Sequence, residues 1–212
     1  MPRILLADDH KMFRDILGAL LAKQPRMEVV GEAENGRRAV ELAQQLAPDV
    51  VVMDVDMPEL NGVEATRQIR EKCPDTKVIA LSMHTNRRFV ARMVEAGASG
   101  YIVKDCAFDE LVAAIRAVLA GRTHLASKLD VSPTHRAVQP EAIEPPQLTP
   151  REREVVQLLA EGKTTKEAAA ELKVSPKTIE VHRKNIMDKL GLKSIVELTK
   201  YALQEGLTSL ES

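Results

Sequence analysis

The sequence is poor in cysteine and has no long hydrophobic run. Its 212 residues include two cysteines, Cys73 and Cys106, which stand apart without a metal-binding or redox spacing. Two isolated thiols provide no disulfide framework and suit a reducing compartment. At the amino terminus, only Ile4 to Ala7 are apolar before the acids Asp8 and Asp9. This run is too short for a signal peptide or a membrane span, so we expect a cytoplasmic protein that does not enter a membrane.

Neither sign of charge dominates, because 30 Lys and Arg face 31 Asp and Glu. The five histidines are scattered and predict no metal cluster: His10, His84, His124, His135 and His182. Residues 173–193, however, hold six basic residues against two acids: Lys173, Lys177, Arg183, Lys184, Lys189 and Lys193 against Glu180 and Asp188. A local excess of this kind is expected of a nucleic-acid contact, although charge alone favours a solvated amphipathic helix.

Four short apolar runs each end at a polar residue. Ile4–Ala7 leads into Asp8 and Asp9, Val50–Met53 into Asp54, Val78–Leu81 into Ser82, and Tyr101–Val103 into Lys104. Such runs favour buried parallel strands, and helix-like stretches lie between them. Since the carboxyl ends of parallel strands share one edge, where ligands of open α/β sheets bind, we expect three carboxylates, one hydroxyl and one ammonium in a single pocket.

This set of groups suits phosphoryl transfer with a divalent cation. Mg²⁺ takes one or two protein carboxylates together with water and phosphate oxygens, while a lysine and a serine hydroxyl can bind phosphoryl oxygens. A carboxylate beside the metal can become an aspartyl-phosphate. Taken alone, Asp8 and Asp9 have an ordinary alternative role at a strand end. Asp9 is also a candidate cap for a helix whose apolar residues are Met12, Phe13, Ile16, Leu17, Leu20 and Leu21.

Residues 2 to 121 resemble the receiver domain of bacterial two-component response regulators. The resemblance is carried by Asp8-Asp9, Asp54 in the stretch Met53–Pro58, Asn61-Gly62, Ser82, Tyr101 and Lys104. It implies a doubly wound, five-stranded parallel α/β sheet of the CheY or flavodoxin type. It also implies that Asp54 accepts the phosphoryl group and that Asp8, Asp9, Asp54 and the main-chain carbonyl of Asp56 bind Mg²⁺. Ser82 and Lys104 are then expected to hold phosphoryl oxygens, and Ser82 and Tyr101 to switch conformation.

The stretch Asp54-Val55-Asp56 also resembles the nucleophile motif of haloacid-dehalogenase-type phosphatases. In that family the acid pair comes late in the chain, whereas Asp8 and Asp9 come first here. Met57-Pro58 also replaces the usual Thr or Val. We therefore expect no enzyme beyond the chain's own phosphorylation and dephosphorylation. Asp56 and His84 each lie two residues past a site residue, so we expect them to affect the lifetime of the phosphoryl group.

The domain prediction is a receiver at 1–121, a linker at 122–147 and a helical domain at 148–212. Four prolines mark the linker, Pro133, Pro140, Pro145 and Pro146, and residues 125–129 are a candidate short helix. Beyond the linker, Thr149, Thr164, Ser175 and Ser194 each have the position of a helix cap. Four capped helices with a short turn between the second and third predict a helix-turn-helix.

The third of these helices is the candidate DNA reader. Ile179, Ile186 and Leu190 recur at core spacing, while Val181 interrupts a polar face where it could contact a thymine methyl group. The stretches Leu148–Glu154, Ser175–Arg183 and Lys189–Gly191 resemble the LuxR-type DNA-binding domain. The expected DNA-binding residues are Lys177, Thr178, Glu180, Val181, Arg183 and Lys184. By the same resemblance, the final helix with Leu198 and Tyr201 is expected to form a dimer face.

A receiver joined to such a domain resembles the NarL/FixJ subfamily of response regulators. This implies a transcription regulator that a sensor histidine kinase phosphorylates at Asp54 and that dimerises on double-stranded promoter DNA. RNA polymerase is a further expected partner. Two alternatives stay open on the sequence: a DNA binder that works without phosphorylation, and an adaptor whose receiver recruits a protein. A change in DNA affinity caused by a phosphodonor distinguishes them from the first interpretation.

Overall fold

The computed structural model describes residues 1–83, 87–106, 108–125 and 148–208. The chain divides into two compact units, Met1–Asp130 and Val131–Ser212. Most of the candidate linker, including residues 126–129 of the candidate helix, lies outside the described residues, as does His84. Among the helices described, none is both long and apolar enough to cross a lipid bilayer.

The first unit is built on a parallel sheet. Its strands in the described residues are β1 (Arg3–Ala7), β2 (Glu28–Ala33), β3 (Val50–Asp54), β4 (Lys77–Ser82), β5 (Gly100–Val103) and β6 (His124–Leu125). They pair in the order β2-β1-β3-β4-β5-β6, with every pair parallel. The predicted doubly wound parallel sheet is confirmed, and its first five strands have the flavodoxin-like order. The two-residue β6 is an addition that the sequence did not reveal.

Helices cover both faces of this sheet, because consecutive strand residues point to opposite sides. The helices are α1 (Lys11–Ala22), α2 (Gly36–Leu46), α3 (Gly62–Lys72), α4 (Arg87–Glu95) and α5 (Phe108–Leu119). One apolar cluster joins β1 and β3 to α1 and α5 and includes Ile4, Val52, Leu17, Leu21 and Ile115. The cluster on the other face joins the same strands to α2 and α3 and includes Leu5, Val51, Ala39, Ala43 and Ile69. Both faces are thus buried, as the unbroken apolar runs predict.

The buried side of α1 does not carry all of its large apolar residues. Met12 and Ile16 are 76% and 49% exposed. Arg14, Leu17 and Leu21, which follow one another at spacings of three and four, are buried. Asp9, the candidate cap, does not cap this helix, because α1 begins after His10 and has no side-chain cap.

The second unit contains four helices in its described residues: α6 (Pro150–Ala160), α7 (Thr165–Glu171), α8 (Pro176–Leu190) and α9 (Ile195–Gln204). Each predicted cap is present, since Thr149, Thr164, Ser175 and Ser194 accept a hydrogen bond from the amide three residues on. Gly191 ends α8 in the left-handed conformation at φ 66°, where glycine is favoured. One apolar cluster holds the helices together and includes Val155, Ala168, Ile179, Ile186 and Leu198.

Candidate functional site

The acids at the ends of β1 and β3 meet at the carboxyl edge of the sheet. Ligand atoms of Asp8, Asp9, His10 and Asp54 all lie within 4.8 Å of one another. Asp8 and Asp54 are only 3% and 2% exposed. The two strands are neighbours although a helix-strand-helix segment separates them in sequence. The site therefore lies at the switch point, where the strand order of the sheet reverses.

Lys104 joins the two buried acids. Its Nζ lies 2.7 Å from Asp8 Oδ2 and 2.7 Å from Asp54 Oδ2, and its side chain is 10% exposed. The main-chain amide of Lys104 donates to the carbonyl of Ser82 at 2.8 Å, which fixes the start of this loop against the end of β4. The ring of Phe13 on α1 lies 5.1 Å from Nζ, within the range of a cation–π contact. The single ammonium is thus shared between two carboxylates in a largely dry pocket.

The charges of the pocket are unbalanced in favour of the acids. Burial, followed by the charge of Asp8, raises the pKa of Asp54 to about 7, although Lys104 acts in the opposite direction. Burial also lowers the pKa of Lys104, but Asp54 and Asp8 outweigh it and hold that pKa above its ordinary value. Carboxylates held this close repel each other. A bound cation relieves the repulsion, so the electrostatics favour a metal.

The donor set fits a hard divalent cation. Asp9 Oδ1 is buried and forms no well-aligned hydrogen bond with the described residues. Its near polar neighbour is Nδ1 of His10 at 2.8 Å, which leaves a lone pair of the oxygen for a ligand. Asp8 uses its Oδ1 to accept from the amide of His10 at 2.9 Å, which holds the turn after β1. Carboxylate oxygens, carbonyls and water are what Mg²⁺ binds. The residues present therefore fit the magnesium ion that the receiver resemblance implies.

His10 departs from the interpretation of scattered histidines. Its Nδ1 lies 2.8 Å from Asp9 Oδ1 and 3.3 Å from Asp8 Oδ1, while its side chain is 69% exposed. His10 therefore joins the acids in a group of possible metal ligands, which the scattered spacing of the histidines does not indicate. Its place directly after Asp8 and Asp9 is the signal in the sequence.

Ser82 and Tyr101 lie side by side beneath this edge. Ser82 follows Leu81, which is the register partner of Asp54, and both Ser82 and Tyr101 are 0% exposed. A side-chain hydrogen bond links the two hydroxyls, and burial raises the pKa of Tyr101 to about 12. The aromatic ring therefore occupies an inward position. Asp56 is half-buried, and its amide donates to Asp54 Oδ1 at 3.3 Å.

Gly62 brings the backbone close to the site. A methyl group added there would lie 2.0 Å from the carbonyl oxygen of Asp54. The amide of Gly62 donates to Val55 at 2.9 Å, and Asn61 caps α3 by accepting from Glu64 at 3.0 Å. The pair Asn61-Gly62 thus packs the start of α3 against the residue that carries the central carboxylate.

The candidate DNA-binding residues lie along α8. Lys177, Glu180 and Lys184 are exposed, and Val181 is 52% exposed. Thr178 and Arg183 are half-buried, and the Thr178 hydroxyl lies 2.8 Å from that of Ser175 within the cap. Ile179 and Ile186 are buried on the opposite side. The helix therefore has a buried and an exposed face, as the apolar spacing indicates.

The expected dimer face on α9 does not have the predicted residues. Leu198 is 0% exposed, and Tyr201 is half-buried against the core of the second unit. The exposed apolar residues of this helix are Ile195 and Val196, at 38% and 59%. Apolar type alone did not distinguish the two sides of α9, because both carry large aliphatic residues.

Comparisons with known proteins agree with both units. Residues 4–116 match the response regulator receiver domain, and residues 146–202 match the luxR family of bacterial regulatory proteins. The transcriptional regulatory protein LiaR of Bacillus subtilis is 40% identical over 211 residues, covering 99% of this chain and 100% of LiaR. The transcriptional regulatory protein MctR of Rhizobium johnstonii is 39% identical over 207 residues, covering 98% and 95%.

Solved structures point the same way. RcsB of Salmonella typhimurium aligns with a TM-score of 0.57 at 26% identity, over 95% of this chain and 98% of RcsB. A structure of two RcsB dimers bound to two parallel DNAs aligns with the same TM-score and identity, over 94% and 96%. These relatives are regulators of transcription rather than enzymes, as expected for this chain. The chain belongs to the NarL/FixJ-type two-component response regulators, in which a receiver domain is followed by a LuxR-type DNA-binding domain.

Proposed function

We propose that phosphorylation of Asp54 by a sensor histidine kinase raises the affinity of this chain for promoter DNA. The observation that carries the proposal is the geometry of Lys104, whose ammonium lies 2.7 Å from oxygens of both Asp8 and Asp54. An ammonium already held between two carboxylates is placed to bind an oxygen of a phosphoryl group added to one of them. The receiver then spans 1–121 and the DNA-binding domain 148–212, joined by the linker 122–147, and the protein acts in the cytoplasm.

Each residue of the pocket has a role in this proposal. Asp8, Asp9, Asp54 and the main-chain carbonyl of Asp56 hold Mg²⁺, while Ser82 and Lys104 bind phosphoryl oxygens. When bound, the cation neutralises charge on the phosphoryl group and on the acids. The buried Oδ1 of Asp9, which lies with ligand atoms of Asp8, His10 and Asp54 in one group, supports this assignment. So does the raised pKa of Asp54, because a carboxylate short of counter-charge gains most from a nearby cation.

The transfer itself requires little chemistry from the protein. An ionised oxygen of Asp54 forms a bond to phosphorus as the phosphorus–nitrogen bond of the donor's phosphohistidine breaks, and the electron pair returns to the imidazole. Burial and the charge of Asp8 raise the pKa of Asp54, whereas Lys104 acts in the opposite direction and favours the ionised form that attacks.

The signal then passes from the pocket to the surface of the receiver. Ser82 is drawn towards the phosphoryl group. Tyr101, whose hydroxyl is hydrogen-bonded to Ser82, is stabilised in its inward position. The surface near β4 and β5 has two conformations, and this change shifts the equilibrium towards the conformation that forms a homodimer. In the second domain, Lys177, Thr178, Glu180, Val181, Arg183 and Lys184 contact double-stranded DNA, and the exposed Ile195 and Val196 pack against the partner. RNA polymerase is recruited at the promoter.

The first test is labelling of Asp54. The wild-type chain, incubated with acetyl phosphate and Mg²⁺, is expected to gain one phosphoryl group, detected as a mass increase of the intact protein. Asp54→Asn is expected to abolish the gain because the nucleophile is removed, and EDTA is expected to abolish it in the wild type. Asp75→Asn, an exposed acid between α3 and β4, is the matched control and retains labelling. Full labelling of Asp54→Asn at another residue would refute the assignment.

A further inference from the structure

Arg14 is a buried cation that the phosphorylation chemistry described above does not use. It lies on α1 and is 8% exposed, whereas an arginine is seldom buried without specific partners. Its Nη1 donates to the main-chain carbonyl of Asp8. Its Nε donates to Glu32 Oε2 on β2 at 3.4 Å. The guanidinium therefore joins the second strand to the peptide that links the two acids of the metal group.

That peptide determines where Asp9 points. On its amino side, the amide of Asp8 donates to Ala33 of β2 at 3.1 Å. On its carboxyl side, Asp8 Oδ1 accepts from the amide of His10 at 2.9 Å. The carbonyl between these two bonds is the group that Arg14 holds. A rotation of the Asp8–Asp9 peptide would break this bond and swing the Asp9 carboxylate out of the group.

We propose that Arg14 is a positioning residue for the metal site: it fixes the Asp8–Asp9 peptide so that both carboxylates face one cation. The proposal rests on the function proposed above and adds to it a residue that touches neither the metal nor the phosphoryl group. Partners that orient metal ligands commonly matter for affinity as much as the ligands' own contacts. The planar guanidinium suits the task, because two of its N–H groups bind two acceptors at once, the Asp8 carbonyl and the Glu32 carboxylate.

The direction in which the Mg²⁺ affinity changes when Arg14 is replaced distinguishes a positioning role from a purely electrostatic one. Arg14 is a positive charge close to a site for a dication. If it acted only through its charge, its removal would strengthen Mg²⁺ binding, because one repulsive term is lost. If it positions the acids, its removal weakens Mg²⁺ binding although the site becomes more negative. The two roles therefore predict opposite changes.

The experiment measures Mg²⁺ affinity and Asp54 labelling in the full chain. Arg14→Met keeps an apolar stem and removes both hydrogen bonds. We expect its Mg²⁺ dissociation constant, measured by isothermal titration calorimetry, to rise by about 10-fold or more. The Mg²⁺ concentration for half-maximal labelling by acetyl phosphate should rise in parallel, while the labelling rate at saturating Mg²⁺ recovers most of the wild-type value. The Mg²⁺ dissociation constant of Arg14→Lys, which keeps the charge and one donor group, should lie between those of the wild type and Arg14→Met.

Arg70→Met is the matched control. Arg70, like Arg14, donates to main-chain carbonyl oxygen, here of Pro74 at 2.5 Å and Thr76 at 2.9 Å, but these carbonyls lie before β4, at the amino end of the strands. Its loss is expected to lower the melting temperature without moving the Mg²⁺ dependence. A merely structural Arg14 would behave in the same way.

The outcomes are distinguishable. Unchanged or tighter Mg²⁺ binding by Arg14→Met overturns the positioning role while the proposed function stands. If Arg14→Met does not fold, Arg14→Lys decides: weaker Mg²⁺ binding than wild type supports the role, and equal binding overturns it. A wild-type chain that neither binds Mg²⁺ nor accepts a phosphoryl group would instead refute the function on which the inference rests.

Discussion

The two candidate sites of this chain are built in different ways. The candidate phosphorylation site is assembled from the ends of β1, β3, β4 and β5, and its central carboxylate is 2% exposed. The candidate DNA-binding site lies on the single helix α8, where Val181 is 52% exposed. In the first, each group is fixed by neighbours from distant parts of the sequence. In the second, each side chain is held mainly by its own helix and faces water.

This difference predicts different responses to substitution. A buried group with fixed partners leaves an unpaired atom or a clash when it is changed, so its effects are large. An exposed side chain makes few contacts in the free protein, so its replacement hardly changes stability. Its replacement changes the affinity for the binding partner, and by a graded amount. The predictions below test this contrast, beginning with the largest effect.

Gly62→Ala should disrupt the receiver most. The added methyl group would lie 2.0 Å from the carbonyl oxygen of Asp54, which is backbone and cannot turn aside as a flexible side chain would, so the strand end or α3 must shift. We expect the first unit to lose about 3 kcal/mol of its free energy of unfolding and labelling of Asp54 to fall sharply. Hydrogen exchange resolved by peptide should show the loss in residues 1–125 and leave 148–208 unchanged.

Gly18→Ala is the control for that change. Gly18 lies within α1, where an added methyl group meets only side-chain atoms at 3.8 and 3.9 Å. Alanine in a helix interior should stabilise the unit by roughly 0.5–1 kcal/mol. Equal effects of the two substitutions would mean that the close approach of Gly62 to Asp54 does not determine the stability of the site.

Lys184→Ala should act on DNA binding alone. If Lys184 reads a base, affinity for a duplex selected from random sequences should fall by roughly 1–3 kcal/mol, with relaxed specificity at one position. If it neutralises a phosphate, affinity should fall evenly for all duplexes and the salt dependence should decrease by about one unit. Fluorescence anisotropy over a salt series, with selected and scrambled duplexes, distinguishes the two.

Lys72→Ala removes the same charge from an exposed position on α3 of the receiver and should leave DNA binding unchanged. Val181→Ala supplies a second test of α8 without a change in charge. If both Lys184→Ala and Val181→Ala bind selected and scrambled duplexes as the wild type does, α8 is not the reader.

The smallest expected effects come from two strained, exposed positions, one in each unit. Ala47 after α2 has φ 44°, and Lys173 after α7 has φ 53°, a region that costs an L-residue roughly 1–2 kcal/mol. Glycine relieves this cost but loses more entropy on folding, so we expect Ala47→Gly and Lys173→Gly each to raise the melting temperature slightly. A lower melting temperature of either variant would show that the left-handed backbone conformation does not destabilise the wild-type protein at that position. Labelling and DNA binding should not change.

The grouping of the candidate phosphorylation residues in one pocket was predictable from the sequence because these residues follow the strand ends. Asp8, Asp54, Ser82 and Lys104 each come directly after a run of buried strand residues, and parallel strands bring such positions together. The caps of the second unit were predictable for a similar reason, since Thr149 and Thr164 bond to residues only three positions away.

Some features depend on tertiary packing, which the sequence does not show. Met12 and Ile16 are apolar but point away from the sheet, whereas Arg14 is charged and points inward at the spacing of Leu17 and Leu21. No local rule assigns an arginine to the core, because its burial depends on the carbonyl of Asp8 and on Glu32 of β2. Leu198 was assigned to a dimer face, but packing within the second unit buries it. The two residues of β6 form too short a pattern to be recognised as a strand.

The most direct test of the account is the DNA affinity of the full chain with and without a phosphodonor. The selected duplex is titrated with wild type and Asp54→Asn, each before and after treatment with acetyl phosphate and Mg²⁺, and the oligomeric state is followed in parallel. The account predicts that treatment tightens binding and favours a dimer in the wild type but changes neither in Asp54→Asn. Equal affinity of treated and untreated wild type, with labelling confirmed by mass, would contradict it and favour a DNA-binding regulator that works without phosphorylation.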